Sequence, residues 1–149
     1  MARVHLPPDF REFLRLLNAN RVEYLLIGGY AVAYHGYPRS TADMEIWIAA
    51  RPDNAAKVVA AYRAYGIEDP AISTELFLKE DQIIRMGIPP MRLEVITGIS
   101  GVRFDACFAA GVSDEWDGVP VRIIALEHLK INKKATGRHK DLDDLENLP

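Results

Sequence analysis

Asp43 and Glu45 stand two residues apart in the stretch DMEIWI, residues 43–48. Successive side chains of a strand alternate between its faces, so the two carboxylates project together while Met44 and Ile46 point the other way. Two converging oxygen donors suit a hard divalent cation such as Mg²⁺, which takes carboxylates together with substrate phosphates. Upstream, Gly28 and Gly29 follow the apolar run Tyr24 to Ile27. A glycine pair at a strand-to-helix turn lets backbone N–H groups approach an anion. Each half alone has a plain reading, since surface strands carry acids for solubility and glycine pairs make tight turns. Together, and beside Ile46, Trp47 and Ile48, which read as core, the acids point to a cation, because a carboxylate next to a core is costly unless something satisfies it.

The order apolar-Gly-Gly, a spacer, then Asp-apolar-Glu-apolar resembles the signature of the polymerase-beta-like nucleotidyltransferase superfamily, in which the second acid is Asp or Glu. The filling GGYAVAYHGYPRSTADMEIWI, residues 28–48, is similar to the bacterial subgroup of abortive-infection and toxin (AbiEii-like) nucleotidyltransferases. RLEVITGISGV, Arg92 to Val102, resembles that subgroup's strand carrying the third acid, which puts Glu94 in the catalytic position. The tail LKINKKATGRHKDLDDLENL resembles its closing motif, here Lys133, Ala135, Gly137, Arg138, Lys140, Asp141, Asp144 and Leu145. The resemblance spans about residues 22–148, with three separated motifs in order.

The resemblance implies transfer of a nucleoside monophosphate from an NTP to an acceptor hydroxyl, with pyrophosphate leaving. Asp43, Glu45 and Glu94 would hold Mg²⁺ or Mn²⁺, two ions in all, and cations about 3.5–4 Å apart stabilise both the attacking and the leaving oxygen of an in-line displacement. Glu94 is the candidate general base. Gly28 and Gly29 would cradle phosphates through backbone donors. Ser40 and Thr41 would bond a phosphate or cap the strand entry, and Arg39 would contact the triphosphate or pair with Asp43. Lys133 and Lys140 would reach phosphates across the cleft. The implied acceptor is tRNA or protein in a toxin–antitoxin or phage-defence setting, with a cognate antitoxin or toxin as partner. Many relatives carry Asp where this chain has Glu45 and Glu94, which moves each carboxylate outward by about one C–C bond. Two other functions remain open: a catalytically weak nucleotide-binding regulator, and a small-molecule antibiotic adenylyltransferase.

Other polar residues have plainer roles. A basic helix face such as Lys130, Lys134, Arg138 and His139 is usually solvated. Asp141, Asp143 and Asp144 read as first-turn acids favouring a helix N-terminus, with Asp141 able to pair with Arg138. His35, beside Gly36, reads as a hydrogen-bonded structural histidine, and no Cys/His spacing suggests zinc.

The elements that must position these residues follow from periodicity. Phe10, Phe13, Leu14 and Leu17 recur at helical spacing behind Pro7-Pro8, with Asp9 as a candidate N-cap of a helix over about 9–18. Strands are expected at 24–27, 43–48, 82–86, 92–97 and 119–124, and helices at 30–34, 54–65 ending on Gly66, 104–110, 126–136 and 140–148, the last two broken at Gly137. The mixture indicates an α/β (α+β) sheet flanked by helices, with Asp43, Glu45 and Glu94 on neighbouring strands. With 149 residues and 49% apolar content, one domain over 1–149 is expected, with no room for a separate substrate domain. The net charge of −3 gives no global attraction to nucleic acid, so an RNA partner must be held by a local patch. Cys107 has no disulfide partner and should pack as a small hydrophobe, which suits a reducing cytoplasm. The N-terminus lacks a signal-peptide h-region and no run approaches the roughly 18 apolar residues of a span, so a soluble cytoplasmic protein with no membrane partner is expected.

Overall fold

The computed structural model describes residues 5–38, 41–88 and 91–149. Among these, the helices are α1 (Pro8–Ala19), α2 (Gly28–Tyr34), α3 (Pro52–Ala64), α4 (Thr74–Leu78), α5 (Phe104–Ala109), α6 (Leu126–Thr136) and α7 (His139–Asn147). The strands are β1 (Tyr24–Ile27), β2 (Asp43–Ile48), β3 (Ile83–Ile88), β4 (Met91–Ile96), β5 (Val112–Trp116) and β6 (Val119–Ile123). They form one mixed sheet in the order β3-β4-β2-β1-β6-β5. β2 lies antiparallel to β1 and parallel to β4, while β1 runs parallel to β6. The fold class expected from the mixture of strands and helices is the one observed.

One sheet face carries the core of the central strands. Met44 and Ile46 point into it, as the alternation of β2 requires, and both are completely buried. Phe10, Phe13, Leu14 and Leu17 of α1 are buried, with Phe13 edge-on to Tyr62 of α3 at 5.4 Å. Phe10 and Tyr65 line a small cavity together with Met86 and Leu93 of the β3–β4 hairpin. The other face is divided. Trp47 is covered edge-on by Phe104 of α5, ring centroids 5.1 Å apart, whereas the Asp43 and Glu45 end of the same face opens into a cleft.

Several local expectations need correction. Pro7 rather than Asp9 caps α1, because Pro8 at the first helical position has a fixed φ and no N–H to leave unsatisfied, and Asp9 falls in the first turn. β3 continues through Gly87 and Ile88, where a loop was expected from Gly87 onward, and pairs there with Arg92 and Met91 of β4; Gly87 adopts φ +89° at no steric cost. α4 was not anticipated; Ser73 caps it by accepting a hydrogen bond from the Leu76 N–H. β5 was not anticipated either. Its sequence VSDEW is polar because it is an edge strand that buries Trp116 and little else. Gly137 ends α6 at φ +64°, as the break there required. Cys107 is a buried free thiol whose pKa is pushed up by that burial. No helix among the described residues is long and apolar enough to cross a membrane.

Candidate active site

The strand registers assemble a row of charges across the open part of the sheet. Glu45 stands opposite Glu94, Glu94 opposite Arg85, and Ile27 opposite Glu45. The adjacent row on the same face places Asp43 opposite Arg92 and Arg92 opposite Gly87. All three expected acids therefore share one face, as the spacing of Asp43 and Glu45 demanded, but two arginines are set among them. Arg92 Nη2 donates to Asp43 Oδ2 at 3.0 Å, and Arg85 Nε donates to Glu94 Oε2 at 2.7 Å. Among the described residues the cation beside Asp43 is Arg92; Arg39 and Ser40 lie outside the described residues.

Glu45 is the acid left over. No hydrogen bond or ion pair reaches it from the described residues, and burial, followed by the charge of Glu94, raises its pKa against the weaker pull of Lys133, Lys140 and Arg138. Its carboxylate fills the space above Gly28, where any Cβ would collide with it, and Gly28 sits at φ +67°. Only glycine meets both demands at no steric cost. Gly29 makes room in the same way for Thr41, whose Oγ1 donates to the Asp43 carbonyl at 3.2 Å and so fixes the entry to β2. Gly28 is thus called for by its left-handed backbone and Gly29 by its packing against Thr41, whatever else their backbones bind.

The opposite wall comes from α6 and α7. Lys133, expected to reach phosphates across the cleft, lines that cleft but is itself buried, with Nζ 3.2 Å from Asp141 Oδ1 and 2.9 Å from Asp144 Oδ2. Burial would raise the Asp141 carboxyl, but hydrogen bonds from Arg138, Thr136 and Lys133 outweigh it and hold the group far below the usual carboxylate range. Asp141 and Asp144 thus do more than favour a helix start: they clamp α7 onto α6 through Lys133. The expected pairing of Asp141 with Arg138 is present at 2.7 Å. Lys140 is exposed in the first turn of α7 and faces the cleft. His35 bonds the Ile124 carbonyl at 2.7 Å and is structural.

The cleft has a volume of about 730 Å³, within the range of small-molecule sites. It brings together Gly28, Thr41, Asp43, Glu45, Glu94, Lys133 and Lys140, and adds Arg85, Arg92 and Arg138. Gly29 lies behind Thr41 and does not line it. Arg92 was accessible to sequence reasoning, since it precedes Glu94 by two residues and must share its face. Arg85 required the hairpin register.

No three His, Cys, Asp or Glu side chains among the described residues are grouped as a metal centre, because Asp43 and Glu94 turn to their arginines. The donor chemistry nevertheless fits a hard divalent ion. Three carboxylates from neighbouring strands face one cleft, and Glu45, partly buried and standing opposite Glu94, has no partner among the described residues, a place a cation would suit.

No protein-family model matches the chain, and no curated protein is significantly similar to it. Solved structures do match. A candidate nucleotidyltransferase from Thermotoga maritima superposes with a TM-score of 0.56 at 15% identity, over 95% of this chain and 94% of the other. Lincosamide antibiotic adenylyltransferase LnuA, solved with lincomycin bound, gives a TM-score of 0.56 at 14% identity, over 96% of each chain. At such identities the likeness is one of fold: this chain has the fold of these proteins along nearly its whole length.

Proposed function

We propose that the protein is a metal-dependent nucleotidyltransferase that moves a nucleoside monophosphate from an NTP to an acceptor hydroxyl. The observation that carries this reading is the row of Asp43, Glu45 and Glu94 on one sheet face, opposite a wall containing Lys133, Arg138 and Lys140. The nucleotidyltransferase names of both structural neighbours support it.

Asp43, Glu45 and Glu94 would hold Mg²⁺ or Mn²⁺, and the bound ion would supply Lewis-acid polarisation of phosphate oxygens and a more acidic acceptor hydroxyl. The chain's own groups do the rest. Lys140, facing the cleft, attracts the triphosphate, and the Gly28 turn admits it close to the backbone. Glu94 accepts the proton of the acceptor hydroxyl as its oxygen bonds the α-phosphorus and the bond to pyrophosphate breaks. Lys133, fixed between two carboxylates, positions α6 and α7 and contributes its positive field to Glu45.

For the acceptor, the toxin-type resemblance favours a hydroxyl of tRNA or protein, in a cell that also makes a cognate antitoxin or toxin. A second reading, a small hydroxylated antibiotic, is favoured by the fold shared with LnuA and by the scarcity of disengaged cations in the cleft, where Arg85, Arg92, Lys133 and Arg138 all face carboxylates. Incubation with each labelled NTP, Mg²⁺ or Mn²⁺, and in turn total tRNA, cell lysate or lincomycin separates them. Labelled RNA, protein or drug identifies the acceptor class. Absence of transfer to all of them with either metal would sink the enzyme reading in favour of a nucleotide-binding regulator.

A further inference from the structure

We propose that Arg85 and Arg92 are phosphate ligands held in reserve, which neutralise the acid row in the free protein and pass to the nucleotide when metal and NTP enter together. This rests on the nucleotidyltransferase reading above, and it makes the site a receptor for the metal–nucleotide complex rather than for free metal.

The placement of both arginines follows from the backbone. Arg92 is level with Asp43 and Arg85 is level with Glu94, on the face that bears Glu45, so both side chains share the cleft with the acid row. Each engages a carboxylate that the proposed metal needs, at 3.0 Å and 2.7 Å. Without them three acids would face one another across two strands. With them, Asp43 and Glu94 each have a guanidinium partner and Glu45 alone of the three has none among the described residues.

The two pairs are easily exchanged. The Arg85 side chain is 56% exposed and that of Arg92 31%, so each guanidinium can rotate into the cleft and remain hydrated. Coulomb attraction scales with charge over distance, and a divalent ion sits about 2.1 Å from a carboxylate oxygen, so its pull exceeds twice that of a guanidinium nitrogen at these separations. Mg²⁺ sheds water reluctantly, however, and must here also displace two charged forks. Free metal therefore competes with the arginines and gains only the carboxylates. Metal that arrives with a triphosphate offers the displaced arginines a better partner, since guanidinium binds phosphate through paired N–H donors. The exchange conserves every charge pair: carboxylate to metal, arginine to phosphate.

The test is titration of Mn²⁺ into the full chain, with and without a non-hydrolysable NTP analogue, followed by electron paramagnetic resonance of free Mn²⁺. Arg85→Gln with Arg92→Gln should tighten binding of Mn²⁺ alone by about threefold to tenfold and weaken binding of the Mn²⁺–nucleotide complex by about tenfold or more. Lysine at both positions, which keeps the charge and loses the fork, should leave binding of Mn²⁺ alone nearer to wild type and still weaken the complex. Unchanged or weaker binding of Mn²⁺ alone in the glutamine variant, or an unchanged affinity for the complex in both variants, overturns the proposal while Asp43-dependent binding of the complex by wild type leaves the enzyme reading standing. If wild type takes up no Mn²⁺ even with nucleotide, both fall.

Discussion

The carboxylate of Glu45 occupies the space in which a side chain on Gly28 would stand. The strand that supplies the acid and the turn that follows the neighbouring strand are thereby locked to one another, and the site geometry is tied to the fold. Gly28→Ala must strain a left-handed φ and displace Glu45 together, so it should lower stability by about 1–3 kcal/mol in urea denaturation and also abolish metal-dependent nucleotide binding. A variant as stable as wild type would show that the contact is dispensable.

Glu45 gives the protein a characteristic pH dependence. Burial and the Glu94 charge raise its folded-state pKa, so its contribution favours the fold below the ordinary glutamate pKa and is lost as pH rises through the raised value. Glu45→Gln should accordingly raise Tm at pH 7, by about 2–4 °C, and change it little near pH 3. Thermal melts across that range check this, and a lower Tm at pH 7 would contradict it.

Asp141 has the opposite sign. Its folded-state pKa is depressed by Arg138, Thr136 and Lys133, so its stabilisation is complete above the ordinary value of 3.8 and disappears as pH falls through the depressed one. Lys133→Met would leave Asp141 and Asp144 buried without their shared cation and should cost about 3–5 kcal/mol. The same substitution should move acid unfolding to higher pH, measured by circular dichroism.

Asp43→Asn separates binding from folding. Loss of the charged ligand should weaken Mg²⁺-dependent nucleotide affinity by about tenfold or more, whereas loss of the partly exposed pair with Arg92 should cost less than about 1 kcal/mol of stability. Glu94→Gln should retain metal-dependent NTP binding and lower transfer by about a hundredfold or more. Equal loss of binding and transfer in the Glu94 variant would assign it to binding rather than to proton transfer.

The acceptor can be probed at Lys134. Arg138 is engaged by Asp141, so reversing its charge would disturb the clamp, but Lys134 is exposed on α6 and outside the cleft. If RNA is the acceptor, Lys134→Glu should weaken RNA labelling more than NTP binding and reduce the salt slope of RNA affinity by about one. RNA labelling that is indifferent to both salt and this substitution would exclude a docking role for the basic helix.

What the sequence revealed depended on the range of the interaction concerned. The shared face of Asp43 and Glu45, the helical stripe of α1 and the break at Gly137 are set by periodicity or by one residue's backbone preference, and each was legible. Lys133 was not, because a lysine in a basic run looks solvated until α7 brings two aspartates over it. Arg85 became visible only through the β3–β4 register, and β5 escaped because an exposed edge strand has almost no apolar alternation to display. The acids could thus be found in the chain, but the cations that answer them are tertiary.

One consequence of the sheet order concerns synthesis. The acid row is complete in the chain once β4 has been made, but the wall that faces it is carried by α6 and α7, which follow β6. A nascent chain therefore carries the carboxylates before it carries their enclosure. During that interval Arg85 and Arg92, which come from the same hairpin as Glu94, already accompany the acids. The half-made site then holds three carboxylates against two guanidiniums, and the positive field that acts on Glu45, from Lys133, Lys140 and Arg138, arrives only with α6 and α7.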